Sequence, residues 1–344
     1  VSLSVVIHAA HDLRVEQVDA PDPAPGEVRI RIGRGGICGS DLHYFHAGGF
    51  GAVKLREPMV LGHEAAGVVE AVGQGVTHVV PGDAVAVNPS LPCGACAQCL
   101  AGRPNHCLEM RFLGSAMRMP HVGGAFRAHF TTEAARAVKL PAGLSVERAA
   151  FAEPLSVVLH AAAQAGPLLG ARVLVTGSGP IGVLCAAVAR LGGAREVVVT
   201  DLLPEPLAIA RAMGADVTHA VATNPHALAP YAAGKGYFDV VFEASGSAPA
   251  LAAGLAVARP GGVMVQLGLG GDIALPLGAL VSREVRLTGS FRFHHEFGHA
   301  LEVLAAGRID PTPMLTEVVP LAEAGRAFAL ASDRKRAMKV QIAF

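Results

Sequence analysis

The stretch Arg172-Val-Leu-Val-Thr176-Gly177-Ser-Gly179-Pro180-Ile181-Gly182 decides the fold. A short apolar run is followed at once by Gly-x-Gly-x-x-Gly and then by an amphipathic helical pattern through Leu191. That order of strand, turn and helix is the setting in which glycines let the backbone approach a pyrophosphate at a helix amino terminus. In a chain with 41 glycines the pattern alone means little, and the setting is what gives it weight. A second strand-like run, 196–200, ends at Asp201, where an acidic side chain hydrogen-bonds the adenosine ribose in sites of this kind. Further β and α patterns alternate: 217–220, 239–243, a helix over 249–258, and 262–267. Such alternation predicts an α/β doubly wound parallel sheet, a Rossmann domain, with Gly246 and Gly268 at strand ends where a dinucleotide passes close to the backbone.

Upstream the pattern changes. Residues 1 to about 150 read as short strands (3–8, 13–18, 28–32, 67–72, 84–87 and 127–131) broken by turns rich in Pro and Gly, such as 21–26 and 81–83. This predicts a β-rich domain. From Ser145 an alanine-rich helical pattern begins, with Pro154 after Glu153 where proline opens a helical turn, so a domain boundary is expected there. A length of 344 residues fits two domains.

The β-rich part carries two groups of metal-ligand type. Gly36-Ile-Cys38-Gly-Ser40-Asp41-Leu-His43-Tyr44 is followed by His63-Glu64, and Cys, His and carboxylate suit a Zn²⁺ with one position open to substrate. A lone cysteine is as readily an inert buried thiol. The polar residues Ser40, Asp41, His43 and Tyr44 crowd one presumed loop beyond what packing needs, which favours a catalytic metal. Cys93-Gly-Ala-Cys96-Ala-Gln-Cys99 and then Cys107 have the spacing of a closed four-thiolate zinc site. A redox Cys-x-x-Cys is the competing reading, but it leaves two cysteines unused. Cys185, within an apolar helical pattern, reads as a packing residue.

Composition narrows the function. Lys+Arg and Asp+Glu both number 28, so no net field favours nucleic acid or an acidic membrane, and Arg334-Lys-Arg336 reads as a solvated face. A hydrophobic content of 51% with 16% charged residues excludes a disordered chain. No apolar run is long enough to span a bilayer and no leader pattern opens the sequence, from which a cytoplasmic protein is expected.

Taken together, GGICGSDLHYF, LGHE, the four-cysteine stretch, AEPLSV, GSGPIG and Asp201 resemble the zinc-dependent medium-chain dehydrogenases over essentially the whole chain. Within them the sequence resembles the polyol (sorbitol) dehydrogenases, and most closely the L-idonate 5-dehydrogenases, through 110–117, 120–122, 236–240 and 289–293. The resemblance implies a GroES-like catalytic domain over 1–152 with a structural zinc lobe at about 89–110, a Rossmann domain over 153–288, and a return segment, 289–344, that completes the first domain. It also implies a homotetramer or dimer.

The same resemblance assigns roles. Two Zn²⁺ per chain are expected, one on Cys38, His63 and Glu64 with Glu153 as the alternative carboxylate, the other on Cys93, Cys96, Cys99 and Cys107. The dinucleotide is expected on Gly177, Gly179, Pro180, Ile181, Gly182, Asp201, Gly246, Leu267, Gly268, Leu269, Ser290, Phe291 and Arg292. NAD is expected over NADP, because Asp201 repels a 2′-phosphate and 202–205, Leu-Leu-Pro-Glu, offers no base to hold one. Ser40 and then His43 are expected to pass the proton outward, Tyr44 and Glu153 to orient substrate hydroxyls, and Arg292 to hold a substrate carboxylate, with Arg118 and His121 as further candidates. Phe293 departs from sorbitol dehydrogenases, where a tyrosine often follows the arginine. The implied reaction is hydride transfer between a secondary alcohol of a sugar acid or polyol and NAD(P), with L-idonate and 5-keto-D-gluconate as the expected pair. Sorbitol- or xylitol-type activity, a non-catalytic zinc and nucleotide-binding protein, and a metal-free quinone reductase are the alternatives; the retained ligands argue against the last two.

Overall fold

The computed structural model describes all 344 residues, Val1–Phe344. Its Rossmann sheet has six parallel strands in the order Val217–Ala220, Glu196–Asp201, Arg172–Thr176, Phe238–Glu243, Ala258–Gln266, Arg286–Gly289. The strand order reverses direction at Arg172–Thr176, and this switch opens a crevice at the carboxyl ends of the strands. Val173, Val175, Val197, Val199 and Phe242 are wholly buried beneath the helices, which is why these strands read as continuous apolar runs. The strand Arg286–Gly289 has no clear pattern in the sequence, since it is only four residues long, Arg-Leu-Thr-Gly, with both ends exposed at the sheet's edge.

The β-rich body is built on a seven-stranded sheet. Ala137–Lys139, Ala84–Val87, Glu64–Val72 and Glu27–Gly36 lie in that order, followed by two strands from the end of the chain, Lys339–Ala343 and Leu315–Pro320. His129–Glu133 also pairs with Glu27–Gly36. Register places Gln341 opposite Gly36, so the last strand lies against the residues that lead into Cys38. The segment after 289 serves both cores: Phe293, Phe297, Ala300, Leu301 and Leu304 pack with Val158 and Ala161 of the helix Ala152–Ala165, whereas Val319, Phe328, Val340 and Ile342 pack with Val5, Ile37 and Tyr44. Cys185 is fully buried in the former core. No helix is long and apolar enough to cross a membrane.

The presumed loop after Cys38 is a helix, Gly39–Ala47, with Cys38 as its N-cap and Gly48 in the left-handed region at its end. Gly39, Ser40 and Asp41 are poor interior helix formers, and the helix is barely amphipathic, so periodicity gave no sign of it. Pro154 lies in the first turn of Ala152–Ala165 and brings Glu153 to the junction of the two bodies.

Candidate active site

Three strands' ends and two helix starts converge on one buried site. Cys38 follows Glu27–Gly36, His63 immediately precedes Glu64–Val72, which Glu64 opens, and the ligand atoms of these three residues all lie within 4.8 Å of one another. Glu64 fits because residue 36 is glycine: a Cβ there would collide with the Glu64 carboxylate. Glu153 is buried beside them but is not in the three-residue group. Burial pushes its carboxyl up to about 7, with the His63 charge opposing and the Glu64 charge adding.

The donor set fits a zinc ion. His63 is buried, its Nδ1 has no hydrogen-bond partner, and the nearest acid is Asp41 Oδ1 at 3.7 Å. Its Nε2 lies 3.5 Å from Ser40 Oγ, with the Cys38 thiol beside the ring. A neutral ring with its Nδ1 proton toward Asp41 presents a lone pair on Nε2 for a cation, the usual support of a histidine ligand. Asp41 is itself fully buried and accepts from Cys38 N–H at 3.0 Å and Gly62 N–H at 3.3 Å. One carboxylate thus fixes the turns that carry both the thiol and the imidazole.

Sequence reasoning gave Asp41 no role and missed Lys339 altogether. Lys339, almost fully buried at the start of the last strand, donates to both Glu64 oxygens at 2.8 Å and to Ile37 O at 3.1 Å. Burial pushes its ammonium down in pKa, but the Glu64 and Cys38 charges outweigh it and the net shift is upward. A lysine opening a short strand with apolar residues at Val340 and Ile342, Lys-Val-Gln-Ile-Ala, was the available signal.

The remaining expected residues divide. Ser40 is half-buried next to His63, while His43 is exposed against Phe50. Tyr44 is buried, and its hydroxyl oxygen accepts from Ala116 N–H at 2.9 Å, which leaves its proton free to be donated. Arg292 adopts φ 56° and lies with its guanidinium carbon 4.4 Å from the Phe112 ring centroid and 4.8 Å from that of Phe291. Phe112 in turn lies 5.6 Å from the His63 ring, so one aromatic ring separates Arg292 from His63. Arg292 donates to Met117 Sδ at 3.0 Å and pairs with no carboxylate; burial pushes its pKa down to about 10. Arg118, by contrast, is spent on Met110 O, Leu108 O and Glu109, and His121 on Arg118 O and Arg56 N–H.

The cysteine lobe is arranged for one ion. Cys96 Sγ lies 3.6 Å from Cys99 Sγ and 3.9 Å from Cys107 Sγ, and backbone N–H groups of Cys93, Cys96, Leu108 and Glu109 point at the sulfurs. Thiolates bound to zinc at about 2.3 Å stand about 3.8 Å apart at tetrahedral corners. No disulfide joins the six cysteines. Asn105 of the lobe donates to Phe291 O at 3.2 Å, which ties it to the far end of the dinucleotide crevice.

That crevice fits a dinucleotide. Gly177 has φ 89° and a Cβ there would press on Ser245, while at Gly182 it would strike the Gly177 carbonyl. At Gly179 a Cβ would meet nothing within 4 Å, so the turn faces open space where a pyrophosphate needs backbone access. Pro180 is the first residue of the helix Pro180–Leu191, with Ile181 and Gly182 in its first turn. Leu267, Gly268, Leu269, Ser290 and Phe291 line a cavity of about 340 Å³ with His160 and Gln266. Ser178 Oγ, Gln266 Oε1 and Ser290 Oγ are buried without partners around this crevice. Glu243, fully buried at its strand's end, accepts from Gly246 N–H at 2.9 Å and from the Gln266 amide, and so holds the Gly246 turn against the cavity. It was read only as strand.

Asp201 accepts from Ser178 N–H at 2.7 Å and Leu203 N–H at 3.1 Å, and also from Arg334 Nη2 at 2.7 Å. The expectation that no base lies near Asp201 holds only along the chain. Lys335 and Arg336 are exposed as expected, but Arg334 turns back onto the carboxylate.

Comparison with known proteins agrees with this geometry. The descriptions "Alcohol dehydrogenase GroES-like domain" and "Zinc-binding dehydrogenase" match residues 24–142 and 180–306. The chain belongs to the zinc-dependent medium-chain dehydrogenases. It is 44% identical over 318 residues to L-idonate 5-dehydrogenase (NAD(P)(+)) of Escherichia coli, covering 92% of this chain and 91% of that one. It is 39% identical over 331 residues to sorbitol dehydrogenase of Gallus gallus, covering 95% and 92%. The crystal structure of L-idonate 5-dehydrogenase from Escherichia coli superposes with a TM-score of 0.93 at 41% identity, covering 100% of this chain and 98% of that one.

Proposed function

We propose that this dehydrogenase interconverts L-idonate and 5-keto-D-gluconate with NAD(P), in preference to neutral polyols. The observation that carries this reading is Arg292, a partly desolvated guanidinium in no ion pair, within the field of Glu153 and one aromatic ring away from His63, followed by Phe293 where sorbitol dehydrogenases often have a tyrosine. A planar, bidentate donor of this kind recognises a carboxylate. The identity to an L-idonate 5-dehydrogenase supports the same reading.

The residues divide the work as follows. Cys38, His63 and Glu64 would hold a zinc ion, which would supply an electrophile for the substrate hydroxyl, and Cys93, Cys96, Cys99 and Cys107 would hold a second that stiffens the lobe. Asp41 holds the Cys38 and Gly62 backbones, and Lys339 keeps the Glu64 carboxylate fixed in a buried pocket. Ser40, beside His63, takes up the hydroxyl proton and passes it toward exposed His43. Tyr44 and Glu153 orient the neighbouring hydroxyls. The Gly177–Gly182 turn and the cavity at Gly268 and Ser290 would hold the nicotinamide dinucleotide, NAD over NADP, which would supply the hydride acceptor.

Steady-state kinetics with L-idonate, 5-keto-D-gluconate, sorbitol and xylitol test this. Aldonate turnover is expected to exceed polyol turnover in kcat/KM, and Arg292→Ala is expected to remove about 1.5–3 kcal/mol of it for the acids only, chiefly through KM. A wild-type enzyme that used sorbitol well and L-idonate poorly would return the chain to the sorbitol-type reading.

A further inference from the structure

We propose that Arg334 reads the 2′ position of the dinucleotide, acting as the phosphate acceptor for NADP and as the counter-ion that shields Asp201 when no phosphate is there. The proposal rests on the reading of Gly177–Gly182 as the dinucleotide turn and names a residue outside the Rossmann domain as its specificity element.

The geometry is an ion pair across the domain junction. Asp201 ends the strand Glu196–Asp201 and its side chain is only 3% exposed, whereas the Arg334 side chain is 51% exposed and reaches it from the turn between the helix Ala324–Ser332 and the strand Lys339–Ala343. The two residues are 133 positions apart. Arg334 lines a small cleft with Ile37, Gly39, Ser178, Gly179 and Pro206, and Asp201 accepts from two of the lining residues, Ser178 and Arg334. Two of the three donors to Asp201, Ser178 N–H and Leu203 N–H, belong to the backbone and cannot leave without unfolding the turn. Arg334 is the donor that can leave.

Charge then gives Arg334 opposite effects on the two cofactors. The ribose hydroxyls of NAD seek the Asp201 oxygens as acceptors, and Arg334 competes for Oδ2. A 2′-phosphate is repelled by a bare carboxylate, but here it meets a half-exposed guanidinium already at the site, which binds phosphate in bidentate fashion more strongly than it holds one carboxylate oxygen. Arg334 therefore narrows the preference that Asp201 sets.

The test is kinetics and binding on Arg334→Gln and Arg334→Lys in the full-length zinc-loaded enzyme. For Arg334→Gln, the KM for NADP is expected to rise at least tenfold while the KM for NAD falls a few-fold, and Arg334→Lys is expected to lie between this variant and wild type. Titration with adenosine 2′,5′-bisphosphate against adenosine 5′-monophosphate is expected to show the same split without turnover. Equal weakening of both nucleotides, or a discrimination ratio within twofold of wild type, would overturn the proposal and leave Arg334 a domain latch. Wild-type enzyme that bound neither nucleotide would instead overturn the dinucleotide reading, and the Arg334 proposal with it.

Discussion

Lys339 and Glu64 are a lysine and a carboxylate with almost no solvent contact, held 2.8 Å apart at both oxygens beside a thiol and an imidazole. Desolvating two charges costs several kcal/mol each, and their attraction recovers this only because Ile37 O takes a further ammonium proton and Gly36 leaves room for the carboxylate. Removing one partner is thus expected to cost more than removing both. Lys339→Met should destabilise the protein by about 3–5 kcal/mol, and adding Glu64→Gln should restore a large part of that loss. Urea unfolding of the two variants checks this, and additive losses would show that the pair is not coupled. Neither Lys339 nor Arg334 was legible as a site residue, because each acts on a group 275 or 133 positions away and no local spacing encodes such a pairing. Cys38, His63 and Glu64 could be proposed as a group from the sequence because each is a metal-ligand type, and their ligand atoms do lie within 4.8 Å of one another.

Among elements, the cysteine lobe and the glycine turn stand at one extreme of legibility and the helix Gly39–Ala47 at the other. The lobe closes over fifteen residues and the turn over six, so ligand spacing or backbone requirement is written directly in the chain. The helix is held instead by tertiary contacts: Asp41 caps it from inside, and Tyr44 packs among Ile37, Leu61 and Phe328. The two metal sites should separate on the same grounds. All four positions of the lobe are sulfur, whereas Cys38, His63 and Glu64 leave a position for substrate, so a mild chelator should remove activity before it lowers the unfolding temperature. Cys38→Ser should abolish turnover while the thermal unfolding midpoint stays near wild type, and metal analysis should fall from two zinc ions per chain to one. Cys96→Ser should lower the midpoint, and through Asn105 and Phe291 it should also loosen the crevice. Full activity in Cys38→Ser would dismiss the catalytic assignment.

At the scale of the molecule, the alternating strands and helices of the Rossmann half and the β-rich first half were readable from period and punctuation. The way the final segment stitches the two together was implied only by resemblance. Its two strands enter a sheet whose other members lie more than 170 residues earlier, and strand partners across such a distance leave no pattern in a single chain. The six-stranded sheet poses one further question, because Arg286–Gly289 forms its edge with one side unpaired. The short helix Leu277–Ser282 leads into that edge strand along the chain, with Leu277 62% and Val281 70% exposed. An unpaired edge flanked by apolar side chains is a pairing template, and a second copy related by a two-fold axis satisfies both the strand and the patch with one self-complementary contact. Light scattering after size exclusion should therefore give at least twice the mass of one chain for the wild type. Leu277→Glu with Val281→Glu places like charges against each other across the axis, and should shift the protein to the mass of one chain. A wild-type monomer, or a double variant that keeps the wild-type mass, would show that this edge is not where copies meet.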